Sequence, residues 1–362
     1  MNVLIDICHP AHVHLFKNLY FTLVNTNHSL TVTVRDIPSA IELLRNLNIP
    51  YTVIGEKYDS WLKKAFQQFN YLIELKKVAK KNKIEIAIGT SLNITHLSLI
   101  SNVTSIVLDD DDDDVEPLFV KFGHPFADFL LTPDSIILNR KRKKNTIFHP
   151  STHECAYLHP KRFVPDPEVK NELGISNERF FILRFNAFKA HHDVSHSGIS
   201  LIQKRDLVEL LSKFGRVIIT TEGKLDEEFE QYQMRISPER IHHALYYADL
   251  YVGDSQTMTT EAAILGTPAL KCNTFAGLLS VPNEIEQKYG LCFSFKPEEF
   301  DQMVLMISST LEDPQSKQKW GEKKEKFFSE KIDLTDFLVW FVQQVHNNKT
   351  YNFDVTNWAD FK

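Results

Sequence analysis

Short apolar runs alternate with amphipathic helical patterns along nearly the whole chain. Residues 3–7 (VLIDI) predict a buried-type strand, 11–24 a helix, 30–34 a strand rich in β-branched residues, 39–47 a helix and 51–54 a strand. A long helical pattern covers about 58–81, and 84–88, 105–108 and 129–131 are further short apolar runs. From 139 to 166 the rhythm breaks: the basic run 140–144 is followed by Pro150, Pro160, Pro165 and Pro167, which reads as a domain junction. It restarts with a strand at 180–183, a helix at 201–213, a strand at 217–220 and a helix at 241–248. Residues 251–270 (YVGDSQTMTTEAAILGTPAL) then read as strand, tight turn, helix and strand. Such alternation predicts parallel βα units, an open sheet with helices on both faces. The expected organisation is two doubly wound, Rossmann-like domains at 1–160 and 161–332 facing a cleft. The tail 333–362 carries an apolar helix (FLVWFVQQV) expected to pack back on the first domain.

Composition narrows the class. A chain of 362 residues accommodates two domains with full cores. A net charge of −6 argues against bulk nucleic-acid binding. Cys8, Cys155, Cys272 and Cys292 show no C-x-x-C spacing and read as reduced thiols of a cytoplasmic protein. The start, MNVLIDICHP, reads as a strand and turn rather than a signal peptide, and no apolar run reaches membrane-spanning length. On the 58–81 helix, Trp61, Leu62, Ala65, Phe66, Phe69, Leu72 and Ile73 recur at helical spacing among Lys63, Lys64, Lys76, Lys77, Lys80 and Lys81. A core-facing helix explains this pattern; peripheral contact with the inner face of a membrane is the other reading.

In open α/β sheets ligands bind beyond the carboxyl ends of strands, so the turns there carry the candidate chemistry. The first turn, CHPAHVH, places His9, His12 and His14 directly after the first strand. Imidazole titrates near neutrality, so His9 or His12 is a candidate general base or anion ligand; capping and packing are the alternatives. Metal is not expected, because His12 and His14 point to different helix faces and nothing completes a ligand set. The second turn is the aspartate run 109–114. As a whole it reads as a self-repelling, solvated face, with Asp109 or Asp110, at the strand's end, a candidate proton acceptor or cap for the next helix. The third is R184-FNAFKAHHD-193, where Arg184 and Lys189 can neutralise phosphates beside His191, His192 and Asp193. Thr220–Gly223, with Glu222, is expected to line the same wall, and 271–277 to lie beside the diphosphate. In 251–270, Ser255 or Thr257 caps the helix, and Gly266-Thr267-Pro268 ends it. A helix N-terminus at the end of a strand is an anion site, and Glu261 lies one turn in, within reach of ribose hydroxyls. An ordinary capped helix has the same spacing.

LIDICHPAHVHLFKN, the aspartate turn, AYLHPKRF, LRFNAFKAHHDVSHSGIS, SPERIHHALYYADLYVGDSQTMTTEAAILGTPAL and NTFAGLL together resemble the family known as domain of unknown function 354. That family is similar at fold level to GT-B sugar-nucleotide enzymes. The GDSQTMTTEAAILGTP string is similar to the donor-site helix of GT-B glycosyltransferases and of UDP-N-acetylglucosamine 2-epimerases. The resemblance implies Ser255, Gln256 and Thr257 at the diphosphate and Glu261 at ribose. Gln256 and Thr257 stand where the epimerases have paired glycines, and HPAHVH replaces their G-T-R-P-E string. The expected function is a metal-independent glycosyltransferase using a nucleotide-diphosphate sugar and a sugar or lipid-linked acceptor, in surface polysaccharide or glycoconjugate synthesis. No cofactor is expected. A 2-epimerase-like enzyme and a non-catalytic sugar-nucleotide binder are the alternatives.

Overall fold

The computed structural model describes residues 1–55, 61–175, 177–185, 198–221, 223, 225–347 and 357–362, with backbone alone for 61–67. The chain divides into two compact units, Met1–Arg162 with Lys331–Lys362, and Phe163–Glu330.

Unit 1 runs β1 (Asn2–Ile7), α1 (Pro10–Asn25), β2 (Ser29–Val34), α2 (Pro38–Asn46), β3 (Thr52–Val53), α3 (Trp61–Lys81), β4 (Ile86–Gly89), α4 (Leu92–Ile100) and β5 (Thr104–Leu108). It continues with α5 (Pro117–Phe122), β6 (Phe129–Pro133), β7 (Thr146–His149) and α6 (Cys155–Leu158). All its strand pairs are parallel, in the order β3-β2-β1-β4-β5-β6-β7. The order reverses between β1 and β4, the place where doubly wound sheets bind ligands. β1 is buried almost throughout, which is why its run is apolar on both faces. The stretch 139–166 differs from the expected junction. It supplies β7 and α6, and the division between units falls after Arg162. β7 is only four residues long, too short for its apolar pattern to stand out.

Unit 2 comprises α7 (Glu168–Glu172), β8 (Phe180–Phe185), α8 (Leu201–Ser212), β9 (Arg216–Thr221), α9 (Ile241–Tyr247), β10 (Leu250–Gly253) and α10 (Gln256–Leu265). β11 (Ala269–Cys272), α11 (Ser280–Gln287), β12 (Cys292–Phe295), α12 (Phe300–Glu312) and α13 (Ser316–Glu330) complete it. Its parallel sheet runs β12-β11-β10-β8-β9 and reverses between β8 and β10. Both units are therefore doubly wound parallel α/β folds.

The chain then returns to unit 1 as α14 (Leu334–Asn347), which packs on α1 and α6. Phe337, Leu338, Phe341 and Val342 are fully buried, and Phe341 meets Phe129 edge-on with ring centroids 5.2 Å apart. Thr335 Oγ1 donates to the Ala156 carbonyl at 2.7 Å and Arg162 Nε to Asp333 at 2.6 Å. In the described part of α3, the buried face is Tyr71, Leu75 and Ala79. Phe69 is 58 % exposed and Ile73 36 %, so those two do not face the core as the spacing suggested. Among the described residues no helix is long and apolar enough to cross a membrane.

Candidate functional site

At the reversal point of unit 1, β1 delivers Asp6 and the His9–His12 turn beside the end of β4. Asp6 is fully buried in the middle of an apolar strand. A carboxylate there is tolerated only if its lone pairs are filled. Thr33 Oγ1 (2.8 Å) and Tyr71 OH (2.5 Å) donate to Oδ1, while Ser91 Oγ (2.9 Å) and Cys8 Sγ (3.4 Å) donate to Oδ2. These donors tie β1, β2, α3 and the β4–α4 turn together. Burial and the Asp6 charge push the Cys8 thiol far up, so Cys8 is not a thiolate.

Local chemistry fixes the turn that follows. His9 is the N-cap of α1, its Nδ1 accepting the Ala11 N–H at 3.2 Å, and Pro10 occupies the first helical position. His12 Nδ1 accepts the Cys8 N–H at 3.3 Å, and the Thr90 hydroxyl lies 3.1 Å from the ring nitrogens. With Nδ1 an acceptor, the network assigns the ring proton to Nε2. Burial, reinforced by His9, His153 and Arg35, pulls His12 down to about 3, so the ring is neutral at physiological pH.

The aspartate run departs from the solvated expectation. Asp109, Asp112 and Asp113 are buried, and the fully buried Arg140 is the reason. Its Nη1 lies 2.8 Å from Asp109 Oδ2 and 2.7 Å from Asp113 Oδ1. Its Nη2 donates to the carbonyls of Asp109 (3.2 Å) and Asp111 (3.0 Å) and to Thr132 Oγ1 (3.1 Å). His124 Nε2 adds a 2.7 Å bond to Asp109, and Asn139 Nδ2 holds Asp112 at 2.7 Å. Burial pushes the Asp109 carboxyl up, but His124 and Arg140 outweigh it and hold Asp109 below its ordinary value. Asp111, without such partners, is raised to about 8 by burial and by Asp110, Asp109, Glu116 and Asp112. Only Asp114 of the run fits the solvated picture, with 91 % of its side chain exposed.

Asp110 points elsewhere, to His153 Nδ1 at 3.1 Å. His153 follows β7, and its Nε2 is buried with no hydrogen-bond partner among the described residues. A carboxylate on Nδ1 fixes the tautomer that leaves Nε2 with its lone pair.

In unit 2 the reversal point lies between Arg184 on β8 and the β10–α10 turn. Arg184 Nη1 donates to Thr220 Oγ1 on β9 at 3.1 Å. Gly253 lets β10 approach β8: a Cβ there would come within 2.8 Å of the Arg184 carbonyl and 2.7 Å of Tyr251 OH. Ser255, not Thr257, caps α10, its Oγ accepting the Met258 N–H at 3.5 Å. Gly266, at φ +85°, closes the helix in the left-handed conformation. Gln256 and Thr257 open the first turn, where N–H groups have no carbonyl one turn back. Glu261 is 4 % exposed, and His242 Nε2 on α9 lies 2.9 Å from its Oε1. Lys271 lies within β11 rather than after it, is 1 % exposed, and contacts Gln256 Oε1 through its ammonium.

Lys189, His191, His192, Asp193 and Glu222 lie outside the described residues. Of the others, the structure brings Arg184 to Thr220 at one reversal point and His9 and His12 together at the other, their ring centroids 5.7 Å apart. Sequence reasoning missed Asp6, Thr90, His124, Arg140, His153 and His242. The visible signal for Asp6 was a carboxylate inside VLIDI; for His242 it was a histidine pair in IHHAL. Among the described residues no group of three or more His, Cys, Asp and Glu could hold a metal ion.

Two doubly wound parallel units in one chain define the GT-B fold, and solved structures agree. UDP-N-acetylglucosamine 2-epimerase from Neisseria meningitidis, bound to UDP-N-acetylglucosamine, is similar with a TM-score of 0.65 at 13% identity, over 96% of this chain and all of that one. The Streptomyces glycosyltransferase SsfS6 gives 0.60 at 11% identity, over 95% and 100%. Likeness at such identity concerns the fold. The chain itself belongs to the family of proteins of unknown function DUF354, whose model matches residues 1–329. An uncharacterized protein of Methanocaldococcus jannaschii is 24% identical over 287 residues, covering 75% of this chain and 82% of its own length.

Proposed function

We propose that this protein is a GT-B glycosyltransferase that moves a sugar from a nucleotide diphosphate to an acceptor hydroxyl. One observation carries the reading: candidate polar residues collect beyond the carboxyl ends of the strands of both sheets, where this class of fold takes its ligands. Unit 2 holds the donor. Ser255, Gln256 and Thr257 meet the diphosphate at the positive end of α10, and Arg184, with Lys189 and His192, adds charge. Glu261, oriented by His242, accepts the ribose hydroxyls. Unit 1 activates the acceptor. Asp109 is already paired with Arg140 and hydrogen-bonded to His124, and His12 already uses Nδ1 as an acceptor. The base is therefore His153, whose Nε2 is free to take the hydroxyl proton while Asp110 steadies the imidazolium. The acceptor oxygen attacks the anomeric carbon, and the departing diphosphate is met by α10 and Arg184. Lipid-linked or soluble glycans of surface polysaccharide synthesis are the acceptor class.

Incubation with UDP-N-acetylglucosamine and a panel of acceptors tests this. Acceptor-dependent release of UDP is expected. His153→Gln should cut turnover by about 10²–10⁴, typical of a lost general base, with donor affinity kept. Formation of N-acetylmannosamine without acceptor would instead make the protein an epimerase, a reading that the fold likeness to the Neisseria enzyme also supports. Tight binding with no turnover would make it a sugar-nucleotide binder.

A further inference from the structure

Lys271 has no role in the reading above, and its surroundings are unusual. It sits in the middle of a parallel sheet, paired with Gly253 on β10 and Ser294 on β12. Its neighbours Leu270 and Cys272 belong to the apolar core of unit 2. Alternation along the strand sends Lys271 to the other face. There its ammonium reaches the first residue of α10, meeting the neutral Gln256 Oε1. No carboxylate lies within 4 Å of it among the described residues. Cys292 on β12 and Glu286 on α11 act on it electrostatically, without an ion pair. Gln256 Nε2 is likewise buried without a partner among the described residues.

Three sets of donors thus lie together with no acceptor among the described residues: the spare protons of Lys271, Gln256 Nε2 and the N–H groups of Gln256 and Thr257, the Met258 N–H being taken by Ser255 Oγ. A buried ammonium beside the positive end of a helix is an arrangement that burial penalises twice, once for desolvation and once for the like-signed dipole. Burial, partly offset by Cys292 and Glu286, draws Lys271 down to about 8. The missing component is an anion.

We infer that Lys271, presented by Gln256, is the cation that binds a phosphate group of the ligand at the N-terminus of α10. On arrival of the anion the ammonium trades the amide oxygen for phosphate oxygen, and Gln256 Nε2 gains its acceptor. This deepens the nucleotide-diphosphate reading of unit 2 and rests on it.

Lys271→Met separates this from a structural role, because methionine fills nearly the same volume without charge. Calorimetric titration with UDP, and separately with inorganic pyrophosphate, is paired with thermal melting of the ligand-free protein. UDP and pyrophosphate should each bind about tenfold or more weakly, the scale of a lost charge-assisted bond. The ligand-free variant should melt at or above the wild-type temperature, since an unbalanced buried charge has been removed. Lys271→Gln repeats both measurements in case the methionine packs poorly. Unchanged UDP affinity in a folded variant overturns this inference alone. So does a marked fall in melting temperature, or failure of both variants to fold, since either makes Lys271 a structural group. Wild-type protein that binds neither UDP nor pyrophosphate overturns the nucleotide reading as well.

Discussion

Removing the Arg140 guanidinium should weaken unit 1 severely, and in a pH-dependent way. Arg140 is 1 % exposed and holds two buried carboxylates, two backbone carbonyls and one hydroxyl. Arg140→Met leaves Asp109 and Asp113 facing each other without their shared counter-ion. Breaking a buried pair this way costs about 3–5 kcal/mol. The sign of the pH effect follows from Asp109. Its folded-state carboxyl lies below its ordinary value, so in the wild type it adds stability above the unfolded pKa that is lost as pH falls through the folded one. Without Arg140 the same carboxyl is raised, the folded state takes up protons, and the deficit shrinks on acidification. Hydrogen exchange resolved by segment suits a chain of two units, for which a single unfolding free energy is ill defined. Protection of β5 and β6 amides should fall by the full amount at pH 7.5 and by less at pH 4.5. Amides of β8 and β10 in unit 2 serve as the internal reference. Adding Asp109→Asn and Asp113→Asn to Arg140→Met should restore much of the loss, because the unpaired charges are gone. A deficit under about 1 kcal/mol at neutral pH, or one independent of pH, refutes the reasoning.

Three further outcomes are expected. Glu261→Gln keeps a group for His242 to contact but loses the charge, and should weaken UDP binding by about tenfold in calorimetry without changing the melting temperature; equal affinity removes Glu261 from the site. Gly253→Ala forces a Cβ to within 2.8 Å of the Arg184 carbonyl and should destabilise unit 2 by about 1–3 kcal/mol, read as faster exchange of β8 and β10 amides; wild-type protection there contradicts the close-approach argument. Turnover of a nucleotide sugar should be the same in excess EDTA as without it, and loss restored by Mg²⁺ or Mn²⁺ would return the aspartate turn to the chemistry.

What the sequence made legible was local. The β10–α10 segment could be read because its cap, its left-handed glycine and its strand all lie within twenty residues. The doubly wound fold followed from periodicity, since buried parallel strands and amphipathic helices have distinct repeats. What stayed hidden depends on pairing at a distance. The run 109–114 resembles a solvated charge cluster until Arg140, some thirty residues on, is placed inside it. Arg140 in turn stands in a basic run that resembles a linker. His153, His242 and Lys271 become notable only when Asp110, Glu261 and Gln256 are brought to them. The short strand β7 has too few residues for a repeat to register.

The route of the chain through unit 1 sets an order of assembly. Residues 163–330 form unit 2 as one uninterrupted stretch, whereas unit 1 is completed by Lys331–Lys362. During synthesis the earliest residues emerge first, and domains ordinarily fold as they appear. Here the first sheet emerges long before α14, which covers Phe129 and the outer side of α1. Unit 2 is contiguous in sequence, whereas unit 1 keeps an apolar face uncovered until α14 has been made.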